Sequence, residues 1–139
     1  MPKVIIDTNV LISSLIQKSY PFLIIDELFV NEEIRLCISD EILREYLDVI
    51  NREKFSKYRE FQTNAKSLIE DIEKYADKYF PVKQIYVLKD AGDNKFLELA
   101  EISKADYLVT GNTKHFKIKK FRKTKIVSPK EFWETELNY

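Results

Sequence analysis

Short runs of β-branched and aliphatic residues alternate along this chain with segments of helical periodicity, and no other feature limits the fold as much. Lys3-Val4-Ile5-Ile6 is the first run and ends at an acid, Asp7. Ile34 to Ile38, Ile85-Tyr86-Val87-Leu88, Tyr107-Leu108-Val109-Thr110 and Lys125-Ile126-Val127 repeat the pattern. These runs are apolar throughout instead of half polar, as strands are when a parallel sheet is covered on both faces. Between them lie the helical signals. Val10 to Ile16 is apolar nearly all round, and Pro21 suits the first turn of a helix with Phe22, Ile25, Leu28 and Phe29 on its inner face. Ser39 offers an N-cap before the first-turn acids Asp40 and Glu41. Phe61, Ala65, Leu68, Ile69, Ile72, Tyr75, Ala76 and Tyr79 recur at steps of three and four, which predicts one long helix stopped by Pro81. Asp93 to Lys104 reads as a helix, and Ser128-Pro129-Lys130-Glu131 opens a last one with a capping box. The expected fold is α/β, a three-layer α/β/α sandwich around a parallel sheet of four to five strands. Residues 1–139 are expected to form a single domain, because 139 residues suit one core.

Composition removes several function classes. No apolar run approaches the roughly 18 residues of a membrane span, and the N-terminus is no signal peptide. The one cysteine, Cys37, lies in an apolar run and reads as a packed thiol, so a reducing, cytoplasmic setting is expected. The net charge is zero but uneven: residues 1–50 carry −5, residues 51–80 +1 and residues 81–139 +4.

Open parallel sheets bind ligands beyond the carboxyl ends of their strands. Those ends carry Asp7-Thr8-Asn9, Ser39-Asp40-Glu41, Lys89-Asp90-Ala91-Gly92-Asp93-Asn94 and Thr110-Gly111-Asn112-Thr113. Acids and amides therefore collect along one edge, with no glycine-rich phosphate loop among them. Carboxylates held close repel and call for a counter-cation, usually Mg²⁺ or Mn²⁺ with oxygen ligands. The lone histidine, His115, has no partner for nucleophilic catalysis, and one Cys with one His cannot build a usual zinc site. Each acid also has an ordinary structural role open to it. Asp7 and Asp93 stand where helix caps stand, and Glu45 flanks the apolar stripe Ile42, Leu43, Tyr46, Leu47 and Ile50 as a solvated charge would.

Taken together, three blocks resemble the PIN-domain (PilT N-terminus) ribonucleases. They are Val4-Ile5-Ile6-Asp7-Thr8-Asn9-Val10-Leu11-Ile12, Gly92-Asp93-Asn94-Lys95-Phe96-Leu97-Glu98-Leu99-Ala100, and Ala105-Asp106-Tyr107-Leu108-Val109-Thr110-Gly111-Asn112. The likeness runs from residue 3 to about residue 128 and is strongest to small prokaryotic PIN toxins of type II toxin–antitoxin pairs. It implies a Mg²⁺- or Mn²⁺-dependent endoribonuclease. The family's acids fall on Asp7, Glu45 and Asp93, with Asn112 where many relatives have aspartate. The implied roles are Asp7 and Asp93 on the metal, Glu45 on the metal or its water, and Asn112 orienting water or phosphate. Thr8, Asn9, Asp90, Asn94 and Thr110 support them. The same resemblance implies a homodimer and an antitoxin partner.

Residues 112–125 carry Lys114, Lys117, Lys119, Lys120, Arg122, Lys123 and Lys125 with no acid, and Phe116 and Phe121 lie between them. Beside the acidic edge this run is expected to bind RNA phosphates and stack a base, unless it is a solvated loop whose phenylalanines dock in the core. Two other functions stay open. One is a catalytically silent PIN domain that binds RNA or protein, favoured by Asn112. The other is an aspartyl-phosphate enzyme, disfavoured because Asn9 stands where such enzymes have a second acid.

Overall fold

A computed structural model describes residues 1–85, 91–111, 116 and 118–137, with the side chains of residues 91 and 92 excepted. Tyr86 to Leu88 of the expected third strand, and Asp90, Asn112, Lys114, His115, Lys117 and Tyr139, lie outside the described residues. Six strands are described: β1 (Lys3–Ile6), β2 (Arg35–Ser39), β3 (Asp77–Tyr79), β4 (Tyr107–Val109), β5 (Lys120–Phe121) and β6 (Thr124–Val127). The helices are α1 (Thr8–Ile16), α2 (Tyr20–Leu23), α3 (Asp40–Ile50), α4 (Glu53–Ser56), α5 (Arg59–Tyr75), α6 (Ala91–Ser103) and α7 (Pro129–Glu131). Two of them run on as π-helical turns. The turn Ile24–Phe29 continues α2 and Phe132–Glu136 continues α7, closed by i→i+5 bonds such as Val30 N–H to Ile25 O at 3.1 Å.

The strands form one sheet in the order β3-β2-β1-β4-β6-β5, all parallel except β5, which runs antiparallel to β6. Val4, Ile5 and Ile6 of β1 are all fully buried. Successive strand side chains point to opposite faces, so both faces of the sheet are covered at its centre, as the apolar runs predict. From β1 the chain builds outward through β2 to β3, then crosses to β1's other side to lay down β4. The switch point therefore lies between β1 and β4.

One segment departs from its periodicity. The heptad-like spacing predicts helix through Tyr79, but α5 ends at Tyr75, Ala76 turns extended (φ −74°, ψ 151°), and residues 77–79 form an edge strand. Tyr75, Ala76 and Tyr79 fit either period, so tertiary pairing decides. The open edge of β2 supplies ladder partners, Cys37 to Asp77 and Ser39 to Tyr79. Arg35 donates to Asp77 at 2.7 and 2.5 Å, pinning the register. With β3 and β5, six strands are found among the described residues, where about four to five are expected.

Other local expectations hold for visible reasons. Ser39 Oγ caps α3 by accepting the Ile42 N–H at 3.2 Å, and Ser128 Oγ caps α7 by accepting the Glu131 N–H at 3.1 Å. Cys37 is fully buried, and that burial pushes its thiol up to about 11, which makes it unreactive as a nucleophile. Phe116, Phe121 and Phe132 are all buried in the core. Among the described residues no helix is long and apolar enough to cross a membrane.

Tyr46 joins helix to sheet. It is fully buried on α3, and its hydroxyl donates to the Ile6 carbonyl at the end of β1. Removing one partner of a buried hydrogen bond leaves the other desolvated and unmet. Tyr46→Phe should therefore lower unfolding free energy by about 1–2 kcal/mol in urea denaturation. Glu41→Gln on the exposed face should change it by less than about 0.5 kcal/mol.

Candidate functional site

The site begins where β1 stops. The Asp7 N–H donates to Val109 O at 3.0 Å, so the β1–β4 pairing extends one residue past the strand and delivers Asp7 to the switch point. Its backbone (φ −61°, ψ 145°) is that of an N-cap residue for α1, yet its side chain makes no capping hydrogen bond. Instead Thr110 Oγ1 donates to Asp7 Oδ2 at 2.7 Å from the end of β4. Thr110 is itself fully buried, and its N–H is held by Val127 O at 2.9 Å. Asp7 is only 7 % exposed. That burial raises its carboxyl above the ordinary carboxylate range. The Thr110 hydroxyl and the nearby N–H dipoles of Asn9 and Thr8 draw it back down, and the negative charge of Glu45 raises it again.

Glu45 arrives from α3. Ile42, Tyr46, Val49 and Ile50 form the buried stripe of that helix, and Glu45 stands on its flank, half-buried. Its neighbour Tyr46 fixes this part of α3 against Ile6, one residue before Asp7. The Glu45 carboxylate is held at both oxygens: Thr8 Oγ1 donates to Oε2 and the Lys95 ammonium pairs with Oε1. Lys95 keeps 15 % of its side chain exposed and Glu45 28 %.

Lys95 belongs to α6, which contributes the third acid. The helix starts at Ala91, so Asp93 falls in its first turn and not at the cap position that the sequence alone leaves open to it. Its charge suits the positive end of the helix dipole. Asn94 beside it is 5 % exposed.

Asp7, Thr8, Glu45 and Thr110 are thus linked by direct contacts, and Lys95 ties them to the turn that bears Asp93. Asn9 is exposed on α1. Asn112 and Asp90 lie outside the described residues. Lys95 is the residue that sequence reasoning missed as a site group. A signal existed, since it is the one basic residue of α6 and stands in the second turn among buried apolar neighbours.

The basic run differs from its expected place. The described part, Lys119, Lys120, Lys123 and Lys125, lines a groove with Asp106 and Tyr107. Lys125 is in register with Tyr107, and Lys123 pairs with Asp106 at 3.6 Å. Asp106 precedes β4 and Thr110 follows it, so about 13 Å of strand separates this groove from Asp7's partner at 3.3 Å per residue. Arg122 is turned to Glu101 of α6. The cause is the tight β5–β6 hairpin, which folds these residues back along β6. Phe116 and Phe121 dock in the core and are closed to a stacking base.

Asp7, Glu45 and Asp93 offer only carboxylate oxygens, with Thr and Asn as neutral neighbours, which suits a hard divalent ion in kind. Among the described residues no three His, Cys, Asp or Glu side chains lie close enough together to enclose one. Mg²⁺ needs only one or two carboxylates and keeps its waters, so Asp7 with Asp93 suffices in number.

Comparison with known proteins agrees with this architecture. The family model described as the PIN domain matches residues 3–114. An uncharacterized protein, MJ1680 of Methanocaldococcus jannaschii, is 32 % identical over 142 residues, covering 95 % of this chain and 90 % of that protein. Among solved structures, VapBC2 from Rickettsia felis, crystallised bound to a DNA fragment from their promoter, superposes with a TM-score of 0.57. The identity there is 14 %, over 89 % of this chain and 96 % of the other, a likeness of fold. A family model spanning residues 3–114, with its strands and first acids laid out as above, shows that the chain belongs to the PIN-domain family.

Proposed function

We propose that this chain is a Mg²⁺- or Mn²⁺-dependent endoribonuclease that hydrolyses RNA phosphodiester bonds at the carboxyl edge of its sheet. Asp7 carries the reading. It is a buried acid at the topological switch point, its carboxylate bound by Thr110 from β4 and faced by a second carboxylate. Buried ionisable groups of that kind are unfavourable for folding and recur where chemistry needs them. Membership of the PIN-domain family supports a nuclease more coarsely.

Asp7 and Asp93 would hold the ion, which when bound supplies charge neutralisation for in-line displacement at phosphorus. The rest falls to the chain. Thr110 fixes the Asp7 carboxylate by its hydrogen bond. Glu45, oriented by Thr8 and Lys95, positions the attacking water and accepts its proton. Asn112 would offer its amide to water or phosphate, and Asp90 and Asn94 would assist Asp93. The products carry a 5′-phosphate and a 3′-hydroxyl. The VapBC2 likeness supports adding an antitoxin polypeptide as partner, and a homodimer and a cytoplasmic setting complete the proposal. Asn112 in place of an acid, with no enclosing carboxylate cluster among the described residues, favours one second reading, a silent RNA- or protein-binding module.

The test is cleavage of a mixed RNA pool in Mg²⁺, Mn²⁺ or EDTA. Wild type should cut only with metal. Asp7→Asn and Asp93→Asn should each lose about a hundredfold or more in rate while keeping their circular dichroism, since each removes an oxygen charge worth several kcal/mol at the transition state. Equal background in every lane from folded protein would move the assignment to the binding module.

Asp7 also makes a pH prediction. Its folded-state carboxyl is raised, so its neutral form stabilises the fold, and that contribution is present below the unfolded value of 3.8. It is lost as pH rises through the folded value. Asp7→Asn should therefore melt higher than wild type at pH 7 without metal, and the gap should close as pH falls toward 4. A gap that is independent of pH would remove the charge from the explanation.

A further inference from the structure

A cleft of about 770 Å³ opens beside the acidic edge, between α1 and the segment that joins α4 to α5. Its floor is apolar: Ile12 is buried on α1, and the Phe55 and Phe61 rings stack with centroids 4.5 Å apart. Its rim is not. Lys54, Lys57 and one acid, Glu60, stand there, the two ammonium groups near rings, 5.0 Å from the Phe55 centroid and 5.7 Å from that of Tyr58. Tyr58 leaves 55 % of its surface exposed, although it is a large ring lining a cleft. Asn9 lines the same cleft, and its N–H faces the Asp7 carboxylate. The cleft and the acidic edge therefore adjoin at the first turn of α1.

We infer that this cleft is a subsite for single-stranded RNA leading into the Asp7 edge, with Tyr58 as a base-stacking platform and Lys54 and Lys57 on the phosphates. The inference rests on the proposed ribonuclease reading for the identity of the nucleic acid. Three physical points carry it. An edge built of carboxylates repels a polyanion, so affinity must come from cations next to it, and the lysines around Lys120 stand at the far end of β4. A half-exposed aromatic ring with an ammonium beside it, as Lys57 stands beside Tyr58, is an arrangement that binds single strands without sequence preference. From Asn9 to Ile16 the helix rises about 10 Å, which matches three bases at the stacked spacing of 3.4 Å.

The test is fluorescence anisotropy with a labelled twelve-nucleotide single-stranded RNA in EDTA, where binding is read apart from cleavage. Tyr58→Ala should weaken binding about tenfold, within the range for losing one base–aromatic stack. Lys54→Ala with Lys57→Ala should weaken it and reduce the slope of log affinity against log salt by about 1.4, at 0.7 per phosphate contact. Lys119→Glu with Lys120→Glu, at the opposite edge, should leave the Tyr58 effect unchanged. All the substituted side chains are exposed, and melting curves check that each variant folds. Unchanged RNA affinity and salt slope in the cleft variants overturns the subsite. So does a cognate polypeptide whose binding is lost in Tyr58→Ala while RNA binding persists, because the cleft then belongs to a protein partner. Binding that follows these expectations without metal-dependent cleavage keeps the subsite and removes the nuclease, and cleavage with no change in binding does the reverse.

Discussion

The hydrogen bond from Thr110 to Asp7 joins the two strands between which the sheet changes direction. An acid left by itself 7 % exposed would take up a proton or pull the strand end apart, since burial opposes its charge. Thr110 offsets part of that cost by giving the carboxylate a neutral donor. It can do so because its own N–H is already fixed to Val127 of β6. Three parallel strands thus collaborate to keep one charged group at the switch point. The apolar runs of β1, β4 and β6 are in this sense the foundation of the acidic edge, because their register decides where Asp7 and Thr110 end.

The second acid depends on a different joint. Tyr46 anchors α3 to the last carbonyl of β1, and the preceding residue on the helix is Glu45. Helix geometry turns adjacent residues by about 100°, so locking Tyr46 into the core places Glu45 at the margin, where Thr8 waits at the start of α1. Core packing and site geometry are one arrangement here.

Much of this was legible in the sequence because it depends on local pattern. Apolar runs ending in polar residues marked the strands and the edge, and Ser39 and Ser128 announced their helices by caps that form as expected. What was not legible depends on partners distant in the chain. Tyr79 satisfies a helical period, and only the vacant side of β2 draws it into a strand. The basic residues from Lys119 to Lys125 look adjacent to Thr110 in the chain, but the hairpin of β5 and β6 carries them to the other end of β4. Lys95 was hidden for a similar reason, since its partner Glu45 is fifty residues away on another helix. Asp7 was ambiguous between cap and site, and only its hydrogen-bond partner distinguishes the two.

Positive charge is then distributed around the acidic edge in three ways, each with its own consequence. Lys95 sits inside, paired to Glu45, where it offsets one carboxylate and leaves the region less repulsive to phosphate than three bare acids would be. Such a pair also limits how many cations the site can attract, because a carboxylate already bound to an ammonium holds a second cation less tightly. Lys54 and Lys57 stand outside, along the cleft that Asn9 also lines. The lysines of the β5–β6 hairpin stand farther off and contribute mainly a long-range field, screened over about 10 Å at ordinary ionic strength. Among the described residues, then, one carboxylate of the edge is already paired with an internal cation. On the proposed reading, that division separates chemistry at the acids from binding at the cations beside them.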